Sequence, residues 1–327
     1  MKAVPYLGMV RLSLLNGLRA GALAIALTGL GQTVSATENQ SIVLERSAQK
    51  WPLTTVHING IETQALVDTG ATVALIDQAF LDRGEAQTGP FGETSVLGIG
   101  GRRVYPLHTL SQVRAGPHIW QDVRAAVTPE RVDLAPYNVL PTSMFEGDIV
   151  DFDFAKRRLR IYSGTPRRIS NARRNRIDFV AQDGLIFIPI KINGVRGQAL
   201  IDTGAEASFV NRSFARQSGA EMNRDMAKLI EGSDQEKQLA VPYKFRDLRF
   251  GSAQIDRFQI PVLDSRLFDE LGYGDAPMMV MGMDLLSRFR LQIDRKRQRV
   301  TFLSRELDRE DLFARPSISR ARDSIDP

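Results

Sequence analysis

Two aspartates, Asp68 and Asp202, each end an almost wholly apolar run and are each followed by Thr-Gly-Ala. One Asp-Thr-Gly alone is a turn signal, with Asp bonding its own backbone and Gly free to take positive φ. The second copy changes that reading. Residues 58–71 (INGIETQALVDTGA) and 192–205 (INGVRGQALIDTGA) are identical at ten of fourteen positions, and the aspartates lie 134 residues apart. Two carboxylates in hydrogen-bond contact cannot both ionise cheaply, so such a pair holds one proton over a wide pH range. One member can then take a proton from water while the other donates to a carbonyl, which is general acid–base hydrolysis without a metal or a covalent intermediate. Thr69 and Thr203 are expected to hydrogen-bond across the axis relating the copies, and Gly70 and Gly204 to let backbone approach the carboxylates.

The elements that must position these groups repeat as well. In each copy an alternating segment leads into Asn59-Gly60 or Asn193-Gly194, a two-residue hairpin signal. The return runs QALV and QALI read as strands buried on both faces, which holds their ends rigidly. Asp77 falls on Asn211 and Phe80 on Phe214, predicting a short capped helix pinned by a Phe in each copy. A second block matches at an offset of 141, residues 153–161 over 294–302. The chain therefore holds two copies of one domain-sized unit.

These residues carry a resemblance. ALVDTGA and ALIDTGA resemble the active-site loops of the retropepsin-like aspartic proteases, the clan that includes pepsins, and the chain is similar to a bacterial single-chain form with retroviral-type loops. The resemblance covers most of residues 50–304. It implies an all-β fold of two pseudo-twofold-related β-barrel lobes with a cleft between them. It implies Asp68 and Asp202 as the catalytic pair, with Thr69, Gly70, Ala71, Thr203, Gly204 and Ala205 as loop support. It also implies Val96, Leu97, Gly98, Ile99, Gly100 and Gly101 (VLGIGG) as a Gly-rich flap over the substrate. At an offset of 134, Gly98 falls on Gly232, whose neighbours Glu231, Ser233 and Asp234 are polar and less flap-like. Val280-Met281-Gly282 is similar to the apolar-apolar-Gly element that passes behind the aspartate loop. The first copy has Val139-Leu140-Pro141 there, so its strand is expected to pass differently. Ala71 and Ala205 stand where the pepsin branch has a hydroxyl donor, which predicts higher pKa values for the pair.

The ends and the join read separately. Lys2, Arg11 and Arg19 precede the short apolar run 20–31, and Val34-Ser35-Ala36 offers a cleavage site, so residues 1–36 are expected to be a signal peptide. Its removal takes away three cations and no acid, moving the formal net charge from +5 to +2. That near-neutral balance does not point to nucleic acid. Lobes are expected at 37–163 and 177–304, with a basic linker at 164–176 and a charged tail at 305–327. The chain has no cysteine, which excludes disulfides, thiol catalysis and Cys-bound zinc. His57, His108 and His118 share no ligand spacing, so no metal or other cofactor is expected. The Met-rich segment 278–283 reads as core.

The sequence reading is a periplasmic or secreted aspartic endopeptidase, monomeric, acting on protein or peptide. Two alternatives stay open: an exported peptide-binding protein that keeps the cleft with little or no turnover, and a structural lobe pair.

Overall fold

The computed structural model describes residues 41–45, 47, 50–82, 91–129, 138–223, 228–231 and 237–305. The expected signal segment lies outside the described residues, as do the tail beyond Arg305 and the polar loop around Gly232. Among the described residues the strands form three sheets. The first is seven-stranded and runs Leu53–Ile58, Ile61–Asp68, Asn138–Pro141, Ala74–Asp77, His118–Thr128, Gly101–Ala115 and Glu93–Gly98. Leu53–Ile58 pairs again with Gly101–Ala115, which curls this sheet toward a barrel. The second sheet repeats the plan with Leu185–Ile192, Val195–Ile201, Met278–Met281, Phe209–Asn211, Ala253–Leu263 and Lys237–Phe250 in that order. It curls through the pairing of Leu185–Ile192 with Lys237–Phe250.

The matching local signals produce matching local geometry. Asn59 and Gly60 turn with φ of 49° and 84°, and Asn193 and Gly194 with 49° and 85°. Positive φ at both central residues is the hairpin turn that Asn-Gly favours. Asp77 caps helix Gln78–Leu81 by accepting from Ala79 N at 2.8 Å, and Asn211 caps Arg212–Gln217 by accepting from Phe214 N at 2.9 Å. Phe80 and Phe214, one on each helix, are both buried.

A third, six-stranded antiparallel sheet joins the lobes, with three strands from each half of the chain. Its seam pairs Ile149–Asp153 with Arg290–Asp294. Arg290 of the second half donates to Asp151 Oδ1 at 2.7 Å and to Asp153 Oδ2 at 2.9 Å across that seam. Burial alone would disfavour the guanidinium charge, but these two carboxylates outweigh it and hold its pKa up. The expected linker needs correction here. Ala172–Asp178 is a strand on the edge of this sheet, paired with Arg299–Arg305. Its arginines masked a period-two pattern in which Asn175 and Ile177 are buried while Arg176 and Asp178 are exposed. Among the described residues, no helix is long and apolar enough to cross a membrane.

Candidate active site

The strands that end at the two aspartates are clamped on both sides. Ile61–Asp68 pairs antiparallel with Leu53–Ile58 and parallel with Asn138–Pro141. Val195–Ile201 pairs in the same way with Leu185–Ile192 and Met278–Met281. Ala65, Leu66, Val67, Ala199, Leu200 and Ile201 are all buried. A strand without a free edge or face delivers its last residue with little freedom.

The loops beyond these strands meet and grip each other. Thr69 N donates to Thr203 Oγ1 at 3.0 Å, and Thr203 N returns the bond to Thr69 Oγ1 at 3.0 Å. Each hydroxyl then donates to the strand opposite, Thr69 Oγ1 to Ile201 O at 2.7 Å and Thr203 Oγ1 to Val67 O at 2.8 Å. Both threonines are fully buried, so every one of these groups needs the partner it has. The glycines work across the axis. A Cβ on Gly70 would stand 2.5 Å from Asp202 Oδ1, and one on Gly204 would stand 2.4 Å from Asp68 Oδ2. Any side chain at either position would push the carboxylates apart.

Asp68 and Asp202 hydrogen-bond each other and keep part of their surface accessible. Burial pushes the Asp68 carboxyl well above the usual carboxylate range, and the negative charge of Asp202 pushes it further. Burial also raises Asp202, and backbone N–H groups oppose the rise at both carboxyls. Asp202 Oδ1 accepts from Gly204 N at 2.8 Å and Ala205 N at 3.1 Å, whereas Asp68 Oδ1 accepts from Gly70 N at 2.7 Å. The absence of hydroxyls at Ala71 and Ala205 was expected to raise the pair, yet burial is the largest cause for both members.

The structure also corrects the expectation for Pro141. It pairs with Asp68 in the parallel ladder, so this strand passes behind its loop in the same register as Met278–Met281 behind the other. The difference begins at Pro141 itself, whose counterpart is Gly282. In the second lobe Gly282 leads into helix Met283–Leu286, and a Cβ there would meet Ala205 O at 2.8 Å. Asp284 on that helix is half-buried; it accepts from Ser208 Oγ at 2.6 Å and Ser208 N at 2.9 Å. Gly282 N donates to Ser208 Oγ at 3.0 Å, and Met283 N holds Ala205 O at 2.8 Å. The first lobe has Ala74 and Ser143 at the corresponding places and a cavity of about 330 Å³ lined by Thr72, Val73, Ala74, Pro141 and Ser143 among others. No sequence signal pointed to Asp284 and Ser208, because they break the repeat rather than follow it.

The expected flap is a hairpin. Glu93–Gly98 pairs with Gly101–Ala115, Gly98 opposite Gly101, leaving Ile99 and Gly100 as the turn. Val96 packs with Ala71 against a first-lobe apolar cluster that contains Leu66, Leu75 and Val139. Leu97 and Ile99 pack with Ala205 against a second-lobe cluster that contains Leu200, Phe209 and Val280. The hairpin thus spans from the apolar floor of one aspartate loop to that of the other. Strands Lys228–Glu231 and Lys237–Phe250 form the counterpart hairpin in the second lobe, whose tip lies outside the described residues. Among the described residues, no group of three or more His, Cys, Asp and Glu could hold a metal ion.

A family model described as aspartyl protease matches residues 54–144 and 188–285, one match over each Asp-Thr-Gly loop. No curated protein matches the chain.

Proposed function

The chain belongs to the aspartyl protease family, and from that premise we propose that it is a single-chain aspartic endopeptidase, exported to the periplasm or secreted, and active as a monomer. The observation that carries the reading is that loops locked by Thr69 and Thr203 bring the two carboxyls together, each against the glycine of the opposite loop, where burial raises the pKa of both. Export is supported by the charged and apolar pattern of residues 1–36. The monomer is supported by both halves of the pair lying in one chain.

The asymmetry of the backbone donors assigns the roles. Because Asp202 Oδ1 accepts from two N–H groups of its own loop, we take Asp202 as the carboxylate and Asp68 as the carrier of the shared proton. A water between them attacks the peptide carbonyl carbon and gives its proton to Asp202, while Asp68 donates its proton to the carbonyl oxygen. When the tetrahedral diol collapses, the C–N bond breaks. The nitrogen leaves with the proton now on Asp202, and Asp68 recovers one from the diol. Both carboxyls return to their starting states. Thr69, Gly70, Ala71, Thr203, Gly204 and Ala205 hold the geometry, and residues 96–101 close over a bound peptide to exclude water.

Pairing of Pro141 with Asp68 in an unbroken ladder favours turnover over peptide binding alone. The test is a random peptide mixture incubated with wild type and with Asp68→Asn, products read by mass spectrometry. Cleavage by wild type and none by the variant is expected. Equal cleavage by both would overturn the paired-acid mechanism, and cleavage by neither would favour the peptide-binding alternative.

A further inference from the structure

The turn of the first-lobe hairpin is held by side chains of the second lobe. The carbonyl of Ile99 accepts from Gln238 Nε2 at 2.8 Å and also from Ser265 Oγ. Ser265 is buried and is the N-cap of helix Arg266–Glu270, where its oxygen accepts from Leu267 N at 3.1 Å. Its hydroxyl therefore donates to one element and accepts from another. Beside these bonds, Arg102 Nε and Nη2 each donate to Glu270 Oε2 at 3.3 Å. Gly101, at φ of +113°, lies so close to the helix that a Cβ would meet Arg266 Cβ at 3.3 Å. Leu97 and Ile99 add apolar contact with the same lobe.

We propose that Ser265 and Gln238 are positioning residues of the hydrolysis, a latch by which the second lobe holds the first-lobe hairpin shut across the aspartate pair. The catalytic consequence rests on the endopeptidase reading, whereas the latch itself does not. Glu93–Gly98 is the edge strand of its sheet, and a two-stranded hairpin reaching out from a sheet has little stability of its own. Its closed population is then set by what its tip touches. The Arg102–Glu270 pair is half exposed, so it adds little and is screened by salt. The two donors on the Ile99 carbonyl are directional and reach it from one side only. A peptide enters when Ile99 leaves Ser265 and Gln238, and it is held when those bonds form again.

Ser265→Asp with Gln238→Glu separates the latch from fold support. Aspartate still caps the helix and glutamate keeps the shape of glutamine, but neither ionised group can donate to a carbonyl. Amide hydrogen exchange and peptide cleavage are measured on the same proteins. Losing two neutral hydrogen bonds should speed exchange of residues 93–101 about tenfold and raise KM about tenfold. With the aspartates untouched, kcat and the pH profile should stay near wild type, and exchange in residues 266–270 should not change. Ser265→Thr keeps both donor and cap and should behave as wild type. Unchanged exchange across 93–101 in the double variant would overturn the latch. Faster exchange with an unmoved KM would overturn the positioning role. A wild type that cleaves nothing would sink the endopeptidase reading alone, and the exchange contrast would still decide the latch.

Discussion

The two lobes deliver the same aspartate by the same strand pairing, yet they brace the delivered loop differently. Behind Asp202, Asp284, Ser208 and Gly282 form a closed set of hydrogen bonds, and Met283 N fixes the carbonyl of Ala205. Behind Asp68 the same places hold Ala74, Ser143 and Pro141 beside a cavity. The contrast teaches that pseudo-symmetry is kept where the loops touch and released one layer behind. Within its own loop Asp202 Oδ1 accepts from two N–H groups and Asp68 Oδ1 from one, so symmetric residues meet unequal local surroundings.

The largest effects should ignore this asymmetry. Asp68→Asn and Asp202→Asn remove the two halves of one shared-proton system, and each should lower peptide cleavage at least about a thousandfold. A variant that kept near-wild-type turnover would show that the lobes are not equal partners in the chemistry.

Stability should expose the difference. Gly282→Ala forces a Cβ to within 2.9 Å of Ala205 and Ala207 backbone, an overpacking expected to destabilise by about 3 kcal/mol. Pro141→Ala frees the unfolded chain and trims a buried ring but forces no clash, so it should destabilise by less, about 1 kcal/mol. Urea unfolding of the two variants measures the gap. Similar losses would mean that both strands abut their loops equally tightly. Asp284→Ala strands Ser208 N and the Ser208 hydroxyl donor, and should destabilise by about 2 kcal/mol. Ser143→Ala at the matching position should stay within about 0.5 kcal/mol of wild type. A loss for Ser143→Ala as large as that for Asp284→Ala would place an equivalent brace in the first lobe.

The smallest effect concerns pH. Both carboxyls have folded-state pKa values raised by burial. A raised group contributes stability that is fully present below its unfolded pKa and is lost as pH rises through the folded pKa. The pair therefore weakens the fold at neutral pH relative to an uncharged substitute. Asp68→Asn should raise Tm at pH 7 by a few degrees, with the gain fading in acid. Asp202→Asn should gain less, because its charge is better satisfied. Melting curves across pH test the order, and a reversed order would move the shared proton from Asp68 to Asp202.

Much of this was legible from local signals repeated at a fixed offset. Asn-Gly turns, fully apolar return strands, capped helices and the paired Asp-Thr-Gly each depend on neighbours in sequence, so they read directly in both copies. The edge strand Ala172–Asp178 was missed because its arginines hid the alternation, and its pairing partner lies over a hundred residues away. The register of Pro141 was misjudged because proline lacks only a donor, and the ladder tolerated that loss at its last residue.

By itself, the sequence determined that two equivalent carboxylates exist, which strands carry them, and that Thr and Gly follow each, since turn chemistry and periodicity are short-range. Tertiary structure alone decided that the two threonines lock the aspartate loops together, how burial sets the pKa values of the pair, and that Gln238 and Ser265 meet the carbonyl of Ile99. The hydrogen bonds among these outcomes join groups more than a hundred residues apart, and no local pattern encodes such a meeting.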